Sequence, residues 1–359
     1  MEHASFLILA VNPGSTSTKA GVFRDEEELA ASVIRHRPGE LASAGRGLLD
    51  QYGARVSAVT AMLDDHGISG ADLSAVVGRG GLLRPIPSGT YIVNDAMMRD
   101  LEDKKASSHA STLGGIIARE MGEKYGIPAY IVDPVSVDEM EPVARISGIP
   151  MIERRSTFHA LNAKAAARAC AADLGMRYED GRFVVAHMGG GISVGAHRYG
   201  RVIDVNNALY GEGPFSPERC GALPAEDVIR MCYSGQYTED EMIGFVTGRG
   251  GMISYIGVND MRAAYEMIDG GDARARLVVE AMAYQISKEI GAMASVLGFD
   301  VDATVLTGGI AHSRRFTDEI EPRVRGVAPL MIYPGEDELR SLAMGALRVL
   351  RGEEAPASY

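Results

Sequence analysis

Cysteine is scarce in this chain, with three residues in a sequence of 359. Cys170, Cys220 and Cys232 are too few and too irregularly spaced to form a disulfide framework or a zinc site. A cytosol would keep such thiols reduced, so we expect these residues to have packing roles.

The sequence also has fewer basic than acidic residues and lacks long apolar runs. Lys and Arg number 36 against 48 Asp and Glu, giving a formal net charge of −12. This balance excludes a general surface for nucleic acid or anionic membrane, so an anionic ligand must be bound locally. The apolar run 6–11 is too short to span a bilayer and lacks the basic flank of a signal peptide. We therefore expect a cytoplasmic protein that binds neither membrane nor nucleic acid.

Hydrophobic residues make up 46% of the sequence and charged residues 23%, which is typical of a folded globular chain. At this length we expect two domains, each with its own core. Glycine is abundant, at 43 residues, and much of it lies in short clusters. These clusters carry most of the functional information.

The apolar pattern predicts two hairpins. Residues 6–11 and 18–23 are expected to be antiparallel strands around the polar turn 12–17, and residues 182–186 begin a second hairpin with a glycine turn. Helices are predicted over 41–67, 110–124, 157–174, 224–234, 273–297 and 339–350, and further strands over 75–77, 129–132, 304–306 and 331–333. This alternation predicts an α/β fold of two lobes with a cleft where the loops converge, and a loose tail over 355–359.

Three loops are suited to a nucleotide. NPGSTSTKAG offers backbone N–H groups, hydroxyls and the Lys19 ammonium around a phosphate, but it joins two strands and is not a Walker loop. HMGGGISVG lets the backbone approach a polyphosphate, and TGGIAHS suits the ribose or base. Each loop alone is also compatible with an ordinary turn, whereas three in this order indicate a nucleotide site.

These loops resemble the phosphate-one, phosphate-two and adenosine motifs of the superfamily of acetate and sugar kinases, chaperone ATPases and actin. Within it, the sequence is most similar to the acetokinase family, and in detail to its butyrate and branched-chain fatty acid kinases. The similarity lies in ILAVNPGSTSTKAGVF, RRSTFHALNAKAAAR, VVAHMGGGISVG, ERCGALP and LTGGIAHS. The resemblance implies an actin-like ATPase fold with two ribonuclease-H-like lobes and an active site in the cleft between them. It implies an N-terminal lobe over 1–155, a nucleotide-binding lobe over 156–339, and a C-terminal helix, 340–359, packed back on the first.

The resemblance also implies residue roles. The catalytic residues would be Asn12 near the transferring phosphoryl, Arg79 and Arg219 around the substrate carboxylate, Asp133 organising the site, and His159 donating to the transition state. The residues implied to bind ATP or ADP are Ser15, Ser17, Lys19, His187, Gly189, Gly190, Gly191, Asn259, Asp260, Arg262, Gly308, Gly309 and Ile310. Gly80, Gly81 and Phe158 would form the acid pocket. Glu338 and Asp133 would be associated with Mg²⁺, with Glu336 and Asp337 as alternatives in register to Glu338.

Transfer to a carboxylate fits these residue types. A carboxylic acid with a pKa of about 4 to 5 is ionised at neutral pH, so no general base is required. The obstacle is repulsion between two anions, which guanidinium groups, an imidazole donor and Mg²⁺ would reduce.

Two departures from acetate kinases bear on the substrate. This chain has His-Met-Gly-Gly-Gly where they have HLGNG, so the side-chain amide is lost at Gly190, and it has Gly81 where they place a valine against the acetate methyl. We expect the second change to make room for extra methylenes, each contributing about 0.8 kcal/mol when buried, and to favour butyrate or isobutyrate. Acetate or propionate remains an alternative, as do a sugar kinase using Asp133 as base and an actin-like regulatory ATPase. The resemblance favours a dimer or an assembly of dimers.

Overall fold

The structure is a computed structural model that describes residues 5–36, 51–103 and 110–359. The chain divides into two compact units: unit 1 is Met1–Val137 with Asp337–Tyr359, and unit 2 is Asp138–Glu336. Residues 138–155, expected in the N-terminal lobe, therefore belong to unit 2. The physical reason is that Glu139 pairs with buried Lys164, at 2.8 Å between Oε2 and Nζ, which ties the start of this segment to unit 2.

Twelve strands lie in the described ranges: β1 Leu7–Pro13, β2 Ser17–Arg24, β3 Glu27–Arg35, β4 Ala75–Arg79, β5 Thr90–Ile92, β6 Ala129–Val132, β7 Arg182–Met188, β8 Ile192–Arg198, β9 Arg201–Val205, β10 Ala303–Gly308, β11 Leu330–Pro334 and β12 Ala357–Ser358. Eleven α-helices lie in the same ranges: α1 Tyr52–Asp65, α2 Asp95–Glu102, α3 Thr112–Tyr125, α4 Ala160–Asp173, α5 Ala225–Cys232, α6 Glu239–Thr247, α7 Met252–Ile256, α8 Met261–Asp269, α9 Ala273–Val296, α10 Arg314–Val324 and α11 Glu338–Leu350. The first part of the predicted helix 41–67, residues 41–50, lies outside the described residues. The helix predicted over 157–174 begins at Ala160.

Both units are built on the same strand order. In unit 1 the order β3-β2-β1-β4-β6 continues into β5 and β12, and in unit 2 the order is β9-β8-β7-β10-β11. In each, the first three strands form an antiparallel meander and the next two join parallel to its first strand. The α/β prediction is confirmed, with one central sheet in each unit.

The cores follow from the apolar pattern. β1 and β7 are continuous apolar runs buried on both faces, as is expected of central strands covered by helices. The long helix α9 buries one apolar stripe, including Met282, Ile286 and Ile290, in the core of unit 2. None of the helices in the described part of the chain is long and apolar enough to cross a membrane.

The last residues do not form the loose tail that their composition suggests. Ala357–Ser358 pairs in parallel with β5. The hydroxyl of Tyr359 donates to Asp100 at 2.7 Å and accepts from the backbone N–H of Arg84 at 3.0 Å. These partners are distant in sequence, so local composition did not indicate them.

The cysteines differ in environment. Cys170 is fully buried in α4, which agrees with a packing role. Cys232 is exposed at the end of α5, so the expectation of a packing role is wrong there. α5 has no buried residue, which leaves the thiol at its end without a core to join.

Candidate active site

Three predicted catalytic residues lie at the carboxyl edge of the unit 1 sheet. Asn12 is near the end of β1, Arg79 ends β4, and Asp133 directly follows β6. These strands are parallel neighbours, with Val11 opposite Gly78 and Gly78 opposite Ile131. The carboxyl ends of parallel strands are where α/β sheets bind ligands.

The carboxylate of Glu338 connects several of these side chains. Glu338 begins α11 and is 5% exposed. Its Oε2 accepts a hydrogen bond from Nδ2 of Asn12, its Oε1 pairs with the guanidinium of Arg79, and Lys19 Nζ lies 3.7 Å from Oε2. The structure therefore brings together Asn12, Lys19, Arg79 and Glu338, from three strands and a helix.

Asp133 has a different set of contacts. Its Oδ1 accepts hydrogen bonds from the hydroxyl of Ser88 at 2.5 Å and the N–H of Gly89 at 2.9 Å. The residue is buried and has a positive φ of 37°. These contacts hold the turn that leads into β5, and they occupy one carboxylate oxygen of the predicted organising residue.

The tip of the first hairpin is an exposed polar turn. Gly14 N–H donates to the carbonyl of Ser17 at 2.7 Å, and His36 N–H donates to the carbonyl of Thr16 at 3.0 Å. The side chains of Ser15 and Thr16 are exposed at the tip, and Lys19 is nearby on β2. Of the two serines predicted to bind phosphate, Ser15 is therefore exposed, and Ser17 is partly exposed.

The expected role of Gly81 is wrong. A Cβ built on Gly81 would lie 2.5 Å from Thr112 Oγ1 and 2.6 Å from Thr112 Cα, at the start of α3. A Cβ on Gly80 would lie 2.6 Å from Pro134 Cβ. The space beside each glycine is already filled by protein, so the missing side chain of Gly81 does not enlarge an acid pocket. Phe158, the third predicted pocket residue, lies in unit 2 and is 3% exposed.

The carboxyl edge of the unit 2 sheet carries a stacked pair of imidazoles. The rings of His159 and His187 lie 4.1 Å apart between centroids, 22° from parallel. His159 Nδ1 lies 3.2 Å from the hydroxyl of Ser193, and His187 Nε2 lies 3.0 Å from Glu336 Oε1. His187 is fully buried, so it supports His159 and the hairpin instead of presenting a surface to the nucleotide.

Arg219 lies against the second hairpin. Its Nη1 donates to the carbonyl of Ala208 at 2.7 Å, and a side chain on Gly191 would overlap its guanidinium. Ser216 joins the two loops, since its hydroxyl donates to the carbonyl of Gly190 at 2.6 Å and accepts from Arg219 N–H at 3.1 Å. Burial lowers the pKa of Arg219 from its ordinary value. Within the described ranges no carboxylate forms an ion pair with it, and its Nε is buried without a hydrogen-bond partner.

A pocket of about 640 Å³ opens next to this hairpin in unit 2. It is lined by seven residues predicted to bind the nucleotide: Gly189, Gly190, Asn259, Asp260, Arg262, Gly309 and Ile310. Asn259 Nδ2 donates to Glu218 Oε1 at 2.7 Å, and Asp260 caps α8 by accepting from Arg262 N–H at 2.8 Å. The second and third glycine loops and the segment before α8 therefore share one cavity, as the resemblance implies.

Gly308 does not line this pocket, although it ends the third loop's strand. It has φ +90°, and a Cβ there would lie 2.4 Å from the carbonyl oxygen of Met188. The glycine thus allows β10 to approach β7 closely. Four further residues line the pocket and were not among the predicted nucleotide residues: Pro217, Met261, His312 and Ser313. His312 and Ser313 are the last two residues of the motif TGGIAHS, so the motif could have indicated them.

The three acidic residues considered as metal ligands have different contacts. Glu336 faces His187, Asp337 caps α11 by accepting from Arg340 N–H at 3.2 Å, and Glu338 binds the cations of unit 1. Among the described residues no three His, Cys, Asp or Glu side chains could together hold a metal ion. Mg²⁺ in phosphoryl transfer is usually bound by one or two carboxylates, waters and the nucleotide's own phosphates, so the residues present fit Mg²⁺ that arrives with ATP.

Residues 149–322 match the acetokinase family model. The matched segment contains His159, the glycine hairpin, Arg219 and the pocket, and it lies entirely within unit 2. The family domain is therefore assigned to the part of the chain that holds the predicted nucleotide site.

Solved structures are similar over nearly the whole chain. An acetate kinase from Porphyromonas gingivalis matches with a TM-score of 0.78 and 18% identity, covering 96% of this chain and 99% of that one. A propionate kinase from Francisella tularensis matches with a TM-score of 0.75 and 18% identity, covering 94% and 98%. A ROK hexokinase from Thermus thermophilus matches with a TM-score of 0.52 and 15% identity, covering 97% and 99%. These likenesses confirm the predicted fold of two ribonuclease-H-like lobes, which is the actin-like fold.

Proposed function

We propose that this protein is a carboxylate kinase, which transfers the γ-phosphoryl group of ATP to a short-chain fatty acid and releases an acyl phosphate and ADP. The observation that carries the proposal is the arrangement in unit 2, where Arg219 lies against the glycine hairpin beside a pocket lined by seven predicted nucleotide residues. The match of this region to the acetokinase family supports the same reading.

The proposed chemistry is electrostatic. Arg219 and Arg79 reduce the repulsion between the carboxylate and the phosphoryl group, and His159 donates a hydrogen bond to the equatorial oxygens as charge spreads over them. His159 is suited to this because stacking on His187 and contact with Ser193 fix its ring. Bound Mg²⁺ would neutralise charge on the β- and γ-phosphates, with Glu338 as the carboxylate associated with it.

In unit 1, Glu338 balances the charge of Arg79 and Lys19 when no substrate is bound. An arriving anion competes with Glu338 for these cations. Arg79 therefore has to exchange at least part of its contact with Glu338 for contact with substrate. Between turnovers, Glu338 thus offsets part of the positive charge at this edge of the sheet.

The contacts of Asp133 argue against a sugar kinase, the alternative within the same fold. A sugar kinase needs a carboxylate base next to the acceptor hydroxyl. Asp133 is buried, and Oδ1 already accepts two hydrogen bonds. The lower TM-score of the ROK hexokinase, 0.52 against 0.78, points in the same direction at the level of fold.

The preferred acid within this class is proposed to be butyrate, isobutyrate or a similar acid, on the resemblance of the motifs alone. Gly81 does not support this preference, because Thr112 fills the space beside that residue. Acetate and propionate are the alternative, and a homo-oligomer built from dimers is part of the same proposal. The preferred acid is identified by comparing kcat/KM for acetate, propionate, butyrate and isobutyrate. A maximum for acetate would contradict the proposed preference for a longer acid.

Trapping of the acyl phosphate with hydroxylamine tests the proposed reaction. With ATP, Mg²⁺ and acid, the protein is expected to give the hydroxamate, and Arg219→Ala should lower the rate by about 10²-fold or more with little effect on folding. Release of ADP with no hydroxamate, either with glucose as acceptor or with no acceptor added, would favour the sugar kinase or the regulatory ATPase. The matched control is Arg230→Ala, which removes an exposed arginine that pairs with Glu226 on α5 and is not among the residues lining the unit 2 pocket.

A further inference from the structure

A buried arginine lies directly under the first hairpin. Arg55, on α1, is 0% exposed. Nη1 donates to the carbonyl of Ser17 and to the hydroxyl of Thr18, both at 2.9 Å, and Nη2 reaches the carbonyl of Ser15 at 3.4 Å. Among the residues that the structure describes, the partners of this guanidinium other than Gln51, one turn back in sequence, all belong to the hairpin.

The charge of Arg55 is not balanced by an acidic neighbour in the described ranges, where no carboxylate lies within 4.0 Å of it. Burial accordingly lowers its pKa from the ordinary value. Burying a cation is costly, and a neutral side chain could fill the same space without that cost. A role that requires positive charge explains its presence better than packing alone.

The contacts of Arg55 set the direction of the hairpin's peptide groups. Because a trans peptide is planar, its C=O and N–H point in opposite directions. Arg55 draws the carbonyls of Ser15 and Ser17 inward, and His36 N–H holds the carbonyl of Thr16 at 3.0 Å. The amide of Thr16 therefore faces away from Arg55, and no residue in the described part of the chain accepts a hydrogen bond from it.

We propose that Arg55 is a positioning residue for phosphate binding: it turns the hairpin carbonyls inward, so that the Thr16 amide and the exposed hydroxyls face the phosphates of ATP, and it places positive charge beneath them. An outward N–H on a turn is a common way to bind an anion, and a buried cation behind it strengthens the attraction in a medium of low dielectric. This inference rests on the proposed function and adds a residue outside the acetokinase-like motifs.

The test measures binding of ATP and of AMP by calorimetry to the full-length protein. AMP lacks the β- and γ-phosphates. Arg55→Met, which removes the charge and the hydrogen bonds, is expected to raise the Kd for ATP about tenfold or more and to change the Kd for AMP by less than about twofold. Arg55→Lys keeps the charge without the fork of donors, so its Kd for ATP should lie between that of Arg55→Met and the wild type.

Gln51→Ala is the matched control, because it removes a partner of the same guanidinium and leaves the hairpin contacts in place. Its ratio of ATP to AMP affinity should equal that of the wild type. A purely structural role for Arg55 would lower Tm in the variants without changing this ratio, and that result would overturn the inference. If both arginine variants fail to fold, Thr18→Val provides the test. The Thr18 hydroxyl contacts both groups that hold the hairpin carbonyls, Arg55 Nη1 at 2.9 Å and the His36 ring at 2.8 Å, so its loss should weaken ATP alone about threefold.

An unchanged ATP affinity in a folded Thr18→Val variant would also overturn it. Wild-type protein that binds neither nucleotide would instead overturn the proposed function. In another outcome, the wild type binds ATP and forms acyl phosphate while the Arg55 variants keep the wild-type ratio of ATP to AMP affinity. That result would overturn only the role of Arg55. The two failures are therefore distinguishable.

Discussion

Each unit of this protein has an arginine next to a hairpin between the first two strands of its sheet, and the two arginines are used differently. In unit 1, Arg55 is fully buried and donates to the turn itself. In unit 2, Arg219 is partly exposed and donates to Ala208, beside the turn at Gly191. The common topology therefore supports one cation that is bonded to the turn itself and another that lies partly exposed beside the turn.

The turns of the two hairpins also differ in their side chains. The first turn carries exposed hydroxyl side chains that can contact a ligand directly, whereas the second consists of three glycines, Gly189, Gly190 and Gly191. A polar turn needs its backbone held in one orientation, which Arg55 and His36 provide. A glycine turn needs room, because Arg219 occupies the space that a side chain would take. The comparison yields three predictions.

The largest effect is expected at Gly191. A methyl group there would displace the Arg219 guanidinium, the mobile end of a side chain, so Gly191→Ala should lower kcat about 10²- to 10³-fold with little loss of Tm. Gly291→Ala on α9 is the control, since a Cβ there meets nothing within 4 Å among the described residues and Gly291 does not line the pocket of unit 2. Steady-state kinetics and thermal unfolding of both variants check this. Equal kcat values for the two variants would show that Arg219 does not act where this comparison puts it.

A moderate effect is expected from the charge cluster of unit 1. Glu338→Gln keeps the shape of the side chain but leaves Arg79 and Lys19 without their carboxylate, and should lower the free energy of unfolding by about 2 kcal/mol. The control Glu26→Gln removes the exposed pair with Arg351 and should cost less than about 1 kcal/mol. Urea unfolding followed by circular dichroism measures both. A smaller loss at Glu338 than at Glu26 would contradict the view that unit 1 depends on this carboxylate.

The smallest predicted effect is a loss of stability as the pH falls, and it is expected in unit 2 alone. Burial, followed by the charges of Lys164 and Arg168, holds the pKa of His197 well below its ordinary value. The folded state thus binds fewer protons than the unfolded state, so stability present above about pH 6.5 is lost as the pH falls, by at most about 1.4 kcal/mol per pH unit. The buried cation of unit 1, Arg55, does not titrate in this range.

Hydrogen exchange, corrected for its intrinsic pH dependence, measures this effect strand by strand. Between pH 7 and pH 5 the opening free energies of β7 and β8 should fall, while those of β1 and β2 should not. His197→Gln, which retains a polar group near the Tyr178 hydroxyl, should remove most of the decrease. A decrease of equal size in this variant would assign the pH dependence to other groups.

Much of the fold could be predicted because its central strands carry their own signal. The runs that became β1, β7 and β10 are continuously apolar and end in glycine or polar turns, so they could be recognised without knowledge of their neighbours. β3 lacks that signal: Ala30 is its one fully buried residue, and its remaining positions are exposed or partly exposed. It is recognisable as a strand only from its pairing with β2.

The candidate site could be predicted where a motif places several residues on one loop, as in the pocket of unit 2. It could not be predicted where the partner of a residue comes from elsewhere in the chain. From the sequence, Arg55 is an ordinary helical arginine, and only the structure shows that it contacts the hairpin. The missing side chain of Gly81 suggests open space, but the structure shows that Thr112 fills it. Sequence patterns specify the residue types in a loop, but not which atoms face them.

The division of unit 1 into two stretches of chain also affects how the protein is made. Residues up to Val137 leave the ribosome first, but the helix that supplies Glu338 follows only after all of unit 2. At a synthesis rate of about 5 to 20 residues per second, the wait is on the order of ten to forty seconds. During that time Arg79 and Lys19 lack their buried counter-charge, so unit 2, which is contiguous, is expected to fold first and unit 1 to be completed after it.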